Sequence, residues 1–301
     1  MSQPILQAPL HGKFLRRIST FMVITQSAIV VTGASVRLTG SGLGCSTWPE
    51  CTPGSYIPTP DQPEAPLHAW IEFGNRLLTF VLLINAVALT ISIFRNRREL
   101  LALGAIQIIG ILAQGLLGGI TVLTGLNPGT VAGHFMLSII LIAAALSLRQ
   151  RIHEKPGVGL NLSRATRLLT RALIILTFTV LSVGTIVTGS GPHAGDTTAE
   201  RFPLDVRTLS WIHADLVIAL IGVTIALLVS INAVESIETK RIFGRRVQLF
   251  LAIALAQGAI GYTQYFTGLP ELLVGFHILG SILVWLAAWN LAITGKVRII
   301  R

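Results

Sequence analysis

The chain has 301 residues, of which 52% are hydrophobic and only 12% are charged, and its mean hydropathy is +0.72. This composition excludes an ordinary soluble globular protein and indicates a polytopic membrane protein. The formal net charge of +10 does not indicate nucleic-acid binding, because the basic residues cluster at the ends of apolar runs, where they act as signals of membrane topology.

Apolar runs long enough to cross a bilayer predict an all-α protein with eight transmembrane helices. No small-residue cleavage site closes the first run convincingly, so we expect it to remain as a helix rather than to be removed as a signal peptide. The predicted spans cover residues 15–37, 69–94, 100–124, 131–149, 168–189, 210–234, 247–267 and 271–295.

Lysine and arginine are distributed unevenly between the two sides of the membrane. They concentrate before helix 1, after helix 8, and between helices 2 and 3, 4 and 5, and 6 and 7, whereas most loop acids lie on the opposite side. The positive-inside rule therefore predicts that both termini are cytoplasmic in a cell-membrane protein.

An internal repeat divides the chain into an N-terminal half, residues 1–150, and a C-terminal half, residues 151–301. The segment from Gln114 to His134 recurs 143 residues later, from Gln257 to His277, with Gly115, Gly118, Thr124, Gly125 and Leu126 matched by Gly258, Gly261, Thr267, Gly268 and Leu269. Each half has four spans, which predicts two parallel four-helix bundles related by a pseudo-twofold axis along the membrane normal. The polar segment 150–166, which contains Pro156 and Gly157, is the predicted linker between them.

The start of helix 2 carries more polar chemistry than lipid should tolerate. His68, Glu72, Asn75 and Arg76 follow at helical spacing and share one face. Ionised groups inside a membrane are costly unless they are paired or face a polar cavity, so this face should point inward. The alternative is that Glu72 and Arg76 only form an ion pair that anchors the helix end.

Four histidines are expected near the outer ends of the even-numbered helices, namely His68, His134, His213 and His277. Two imidazoles on alternate helices of a four-helix bundle suit the two axial positions of a heme iron. Zinc is less suitable because no cysteine or acid recurs at ligand spacing beside them. A copper site is also less suitable, because the predicted spans contain no cluster of methionine or cysteine residues to bind it.

The two halves differ in their acidic residues. Glu72 lies one turn below His68, whereas Asp215 is two residues after His213 and therefore on another face. This asymmetry predicts one working centre and one helper, with Glu72 accepting a proton or stabilising a developing cation. If Glu72 is instead held by Arg76, its role is structural.

The two cysteines, Cys45 and Cys51, lie in one loop rich in proline, glycine, serine and threonine. Their spacing alone is compatible with a disulfide, part of a metal site or two free thiols.

The chain resembles the heme A synthase family in several features that follow one another in a specific order. They are the eight spans in two halves, Thr39-Gly40-Ser41-Gly42 before the Cys45 to Cys51 loop with Trp48-Pro49, Ile71-Glu72-Phe73 in helix 2, and one histidine each in helices 4, 6 and 8. The resemblance implies oxidation of the C8 methyl group of heme O to a formyl group by successive hydroxylation, which gives heme A for terminal oxidases. It also implies heme O synthase and an electron acceptor such as a quinone as partners, and heme b as cofactor.

By position, the resemblance assigns Glu72 as the essential glutamate and His134 as a ligand of the substrate heme in the N-terminal half. It assigns His213 and His277 as ligands of heme b in the C-terminal half, and it pairs Cys45 with Cys51 as a disulfide in the outer loop. Both heme sites would lie toward the outer side of the membrane.

The chain departs from the family pattern at two places. The family often has a histidine three residues after the glutamate, where this chain has Asn75, and a second cysteine pair is missing between residues 190 and 209. Either His68, about 10.5 Å nearer the outside, replaces that histidine, or His134 holds the substrate iron alone. Arg76 and Asn75 are candidate accessory residues, and His193 either caps a heme propionate or is a solvated loop residue.

Two rival functions remain open from the sequence. A diheme b-type cytochrome that exchanges electrons with quinone would explain the histidines and the repeat, but not Glu72 or the cysteine loop. A transporter would explain the parallel repeats, yet its midplane polar site is not expected here, because the helix midplanes are predicted to be apolar.

Overall fold

The computed structural model describes residues 10–153 and 160–295, and these ranges are all-α, without a β-strand. Eight helices are long and apolar enough to cross a membrane, which confirms the number predicted. They are α1 Leu10–Leu38, α2 Pro66–Asn96, α3 Leu101–Leu123, α4 Pro128–His153, α5 Arg164–Ser190, α6 Val206–Val234, α7 Ile237–Phe266 and α8 Glu271–Thr294.

Several helix ends differ from the prediction. Helix α2 begins at Pro66 rather than 69 because proline is well suited to the first helical position, where its missing N–H costs nothing. A 3-10 turn at Arg98–Leu100 precedes α3, and α7 contains a π turn at Lys240–Gly244. The predicted linker residues Pro156 and Gly157 lie outside the described residues.

The eight helices form two rings of four. Helix α1 contacts α2 and α4 and helix α3 contacts the same two, while α5, α6, α7 and α8 contact one another in the same cyclic order. Each ring has its own apolar core: buried Met22, Leu89 and Leu148 belong to the first, and buried Leu227 and Phe250 belong to the second. Diagonal pairs, such as α6 and α8, therefore face each other across the ring interior.

Helices α1, α4, α5 and α8 join the two rings. The shared core includes Ile139, Ile142 and Trp285. The indole N–H of Trp285 donates to the carbonyl of Ile139 at 2.7 Å, and that of Trp289 donates to Ser147 Oγ at 2.8 Å. These bonds satisfy the buried indole of Trp285 and the partly buried indole of Trp289, so the aromatic residues fix the distance between α4 and α8.

The prediction of apolar helix midplanes is wrong in the first ring. Gln26 and Gln107 are 2% and 0% exposed, and Gln26 Nε2 donates to Gln107 Oε1 at 3.1 Å. Gln107 Nε2 in turn donates to the carbonyl of Leu141 at 3.4 Å. The two amides satisfy each other and a backbone carbonyl, which is how polar side chains are accommodated between membrane helices.

The turns before α4 and α8 adopt the same conformation. Gly125 and Leu126 have φ values of 61° and 59°, and Gly268 and Leu269 have values of 81° and 60°. A left-handed leucine costs about 1–2 kcal/mol, and burial of Leu126 against the loop residues Ala194 and Ala199 offsets that cost. These matched turns set the starts of α4 and α8, the helices that carry His134 and His277.

Candidate functional site

Three histidines lie in the second turn of their helices, and each packs its ring against a glycine of a neighbouring helix. A Cβ atom placed on Gly118 would be 3.3 Å from Cε1 of His134, and one placed on Gly261 would be 3.2 Å from Cε1 of His277. Gly184 of α5 has the same relation to His213, also at 3.2 Å. The glycines therefore make room for the imidazoles, rather than only allowing helices to approach.

The Nδ1 atoms of His134, His213 and His277 are buried without a hydrogen-bond partner among the described residues. An unpaired buried polar atom costs about 1–3 kcal/mol. Ligation of a metal ion by the imidazole would offset this cost. The second ring thus fits a heme held by two imidazoles, although no three His, Cys, Asp or Glu side chains converge on a common point within residues 10–153 and 160–295.

His68 lies nearer the start of its helix than the other three histidines do. It is two residues after the first residue of α2, whereas the others are six or seven residues into their helices. Its Nδ1 atom hydrogen bonds with Ser41 Oγ at 2.8 Å. The early start of α2 at Pro66 places His68 beside the loop that follows α1.

Asn75 lies deeper in α2 and faces α1. The hydroxyl of Thr32 donates to Asn75 Oδ1 at 2.7 Å, and a Cβ atom on Gly33 would be 3.8 Å from Asn75 Nδ2. Asn75 is therefore the side chain of α2 that contacts a glycine of α1.

Glu72 is 5% exposed, and both of its carboxylate oxygens are engaged. Arg76 donates to Oε1 from Nε at 3.1 Å and from Nη2 at 2.6 Å. The backbone N–H of Cys45 donates to Oε2 at 2.7 Å. The carboxylate is thus paired and hydrogen bonded on the side of the loop between α1 and α2.

Arg76 holds the same loop with its remaining donors. Nη1 donates to the carbonyls of Thr47 and Glu50, both at 3.1 Å, and Nη2 donates to the carbonyl of Cys45 at 2.9 Å. With the two bonds to Glu72, all five guanidinium N–H groups have acceptors. The ion pair therefore fastens the segment 45–51, here called the cysteine loop, onto α2.

Cys45 and Cys51 form a disulfide, which confirms the pairing implied by the resemblance and rules out free thiols at these positions. Both cysteines are buried, at 0% and 1% exposure. Between them, Trp48 lies on Gly119 of α3, where a Cβ atom would come within 2.4 Å of the indole Cδ2. The cysteine loop therefore bridges α2 and α3 at one end of the first ring.

We expect Gly119→Ala to displace the Trp48 indole and to loosen the cysteine loop, because a contact of 2.4 Å cannot be accommodated without movement. Gly115→Ala in the same helix is the matched control, since no atom lies within 4 Å of its Cβ position. Quenching of Trp48 fluorescence and proteolysis of the loop should increase for Gly119→Ala only. Equal behaviour of the two variants would contradict the packing of the loop on α3.

His193 is half-buried rather than solvated. Its Nε2 donates to the carbonyl of Leu269 at 2.8 Å, and its own carbonyl accepts a bond from Arg37 Nε. Nη2 of Arg37 also donates to the carbonyl of Thr188 at 2.8 Å. His193 and Arg37 therefore connect the loop between α5 and α6 to α1 and to the turn after α7.

Sequence reasoning missed the glycine partners of the histidines and the link between Thr32 and Asn75. A signal existed for two of the glycines, since Gly118 and Gly261 recur at the same interval as His134 and His277. Gly184 and Thr32 have no such signal, because their roles depend on how neighbouring helices rotate against each other.

The family described as cytochrome oxidase assembly protein matches residues 16–289. A protein named heme A synthase from Lysinibacillus sphaericus is 32% identical to this chain over 185 residues, which are 59% of this chain and 59% of that protein. Proteins of the same name from Listeria monocytogenes and Exiguobacterium sibiricum are each 33% identical, over 58% and 60% of this chain. The matched segments span 57% and 60% of those two relatives, so none of the three is matched over two thirds of its length.

Proposed function

This chain belongs to the heme A synthase family of cytochrome oxidase assembly proteins, and we propose that it oxidises the C8 methyl group of heme O to a formyl group. The product would be heme A for terminal oxidases. The observation that carries the proposal is the set of three imidazoles, His134, His213 and His277, each seated on a glycine near one end of its helix. Among the described residues, each has a buried Nδ1 without a hydrogen-bond partner.

His213 and His277 would hold heme b in the second half. They project from α6 and α8, which are diagonal in the second ring of helices. Gly184 and Gly261 leave space beside the two imidazoles. A heme ligated on both faces supplies one-electron transfer. The two imidazoles would orient the group within the second ring, whereas the cysteine loop belongs to the first half.

His134 would bind heme O in the first half, beneath the cysteine loop. The disulfide, the Trp48 contact with Gly119 and the bonds from Arg76 hold this loop across α2 and α3. A fixed cover of this kind limits the access of water to the reacting centre. Glu72, directly beneath the loop, is the proposed carboxylate that accepts a proton or stabilises positive charge on the substrate.

The two rings and the matched turns before α4 and α8 support our proposal that residues 1–150 and 151–301 are parallel repeats. We further propose that both termini are cytoplasmic and that the heme sites lie toward the outer side of the cell membrane. The proposed partners are heme O synthase, which makes the substrate, and an electron acceptor such as a quinone, within the lipid bilayer. Nucleic acid is not among them.

The test is to express the chain with heme O synthase in cells that lack another source of heme A, and to identify the extracted hemes by chromatography and mass spectrometry. We expect heme O to be converted to heme A. The rival function, a diheme b-type electron carrier, is favoured by the fully engaged Glu72 carboxylate. Unchanged heme O together with a reducible b-type spectrum would support that carrier and contradict the synthase.

A further inference from the structure

The two rings can be compared at the positions where a helix side chain meets a glycine of the preceding helix. In α4 and α8 the comparison is exact: His134 meets Gly118 and His277 meets Gly261, and both pairs are separated by 143 residues. One histidine of each ring is therefore equivalent in sequence and in packing.

The comparison differs at α2 and α6. His213 of α6 meets Gly184, which lies six residues before the end of α5. In the first ring, the side chain of α2 that meets a glycine of α1 is Asn75, and its partner Gly33 lies five residues before the end of α1. Asn75 is nine residues into its helix and His213 is seven residues into its own. Asn75 therefore occupies, to within about 3 Å of depth, the place that His213 has in the second ring.

Asn75 is unsuited to bind a heme iron in that place. An amide NH₂ group has no available lone pair, and the amide oxygen already accepts the hydrogen bond of 2.7 Å from Thr32. His68 is not a substitute, because it lies seven residues earlier, about 10.5 Å toward the end of the helix. Its Nδ1 atom is also engaged by Ser41.

We infer that the first-half site is a single-histidine heme site, in which His134 is the protein ligand and Asn75, fixed by Thr32, leaves the other face of the heme without one. This inference rests on the proposed function, since it concerns the site where heme O would bind. A single-histidine site in the first half would give the two halves different functions. Two protein ligands in the second half suit electron transfer alone, whereas one ligand in the first half leaves the substrate iron accessible to a small molecule.

Carbon monoxide is the probe that tests the inference, because it binds ferrous heme with an open axial position and not heme with two imidazole ligands. We expect purified protein loaded with heme O to bind carbon monoxide at one heme per chain and to keep one low-spin heme. His68→Ala and Asn75→Ala should behave like the unchanged protein. Asn75→His should lose most of the carbon monoxide binding and gain a second low-spin signal in electron paramagnetic resonance.

Three outcomes would overturn the inference: no carbon monoxide binding in the unchanged protein, appearance of binding only in His68→Ala, or binding that persists in His134→Ala. The first and second do not require Asn75→His to fold. The proposed function fails separately, if heme O remains unchanged in the co-expression experiment while carbon monoxide still binds. Conversely, the protein could form heme A although neither of its two hemes binds carbon monoxide. That result would contradict the inference and still support the proposed function.

Discussion

Replacement of His213 or His277 by alanine is expected to lower the content of low-spin b-type heme in the purified protein by about tenfold or more, by analogy with the cost of disturbing metal ligation. The two histidines lie on diagonal helices of the second ring of helices. The imidazole of each packs on a glycine of a neighbouring helix. Loss of either imidazole leaves one face of the iron without its ligand. The heme content can be measured by the pyridine hemochrome method, and the spin state by electron paramagnetic resonance.

His193→Ala is the matched control for these two variants. His193 belongs to the same half, but its ring donates to the carbonyl of Leu269 and does not lie on a glycine of a neighbouring helix. This variant should keep the heme and lose only some stability of the loop between α5 and α6. Unchanged heme content in both His213→Ala and His277→Ala would rule out the second-half site. Equal losses in all three variants would indicate that unfolding, and not ligation, removed the heme.

The eight helices could be predicted from the sequence because the free energy of burying a span in lipid depends mainly on its length and apolarity. The same measure cannot find local hydrogen-bond patterns, and for this reason the π turn at Lys240–Gly244 was not predicted. Nor can it find a buried polar pair such as Gln26 and Gln107, in which the cost of each amide is offset by a partner 81 residues away.

The candidate site was predictable where the chemistry depends on residue type and helical spacing. His134, His213, His277 and the pair of Glu72 and Arg76 belong to this class. What the sequence could not give is the set of contacts made by the loop between α1 and α2. The bond between His68 and Ser41 and the packing of Trp48 on Gly119 depend on the path of that loop, which residue composition does not determine.

Glu72→Gln is expected to reduce the formation of heme A by roughly 100-fold or more, the usual loss when a group that transfers a proton is removed. Heme O or a hydroxylated intermediate should accumulate, while the low-spin heme of the second half stays unchanged. The structure shows that the substitution also has a structural cost. Both carboxylate oxygens accept hydrogen bonds, so an amide NH₂ must face either the N–H of Cys45 or the donors of Arg76.

Arg76→Gln separates the two roles of the ion pair. It removes the three bonds to carbonyls of the cysteine loop and leaves the carboxylate of Glu72 in place. If Glu72 acts on the substrate, Arg76→Gln should loosen the loop, as judged by proteolysis, yet retain much more activity than Glu72→Gln. If the pair serves only to fasten the loop, both variants should lose thermal stability to a similar extent and both should still make heme A. Near-normal formation of heme A by Glu72→Gln would therefore remove Glu72 from the chemistry and leave it with Arg76 as an anchor of the cysteine loop.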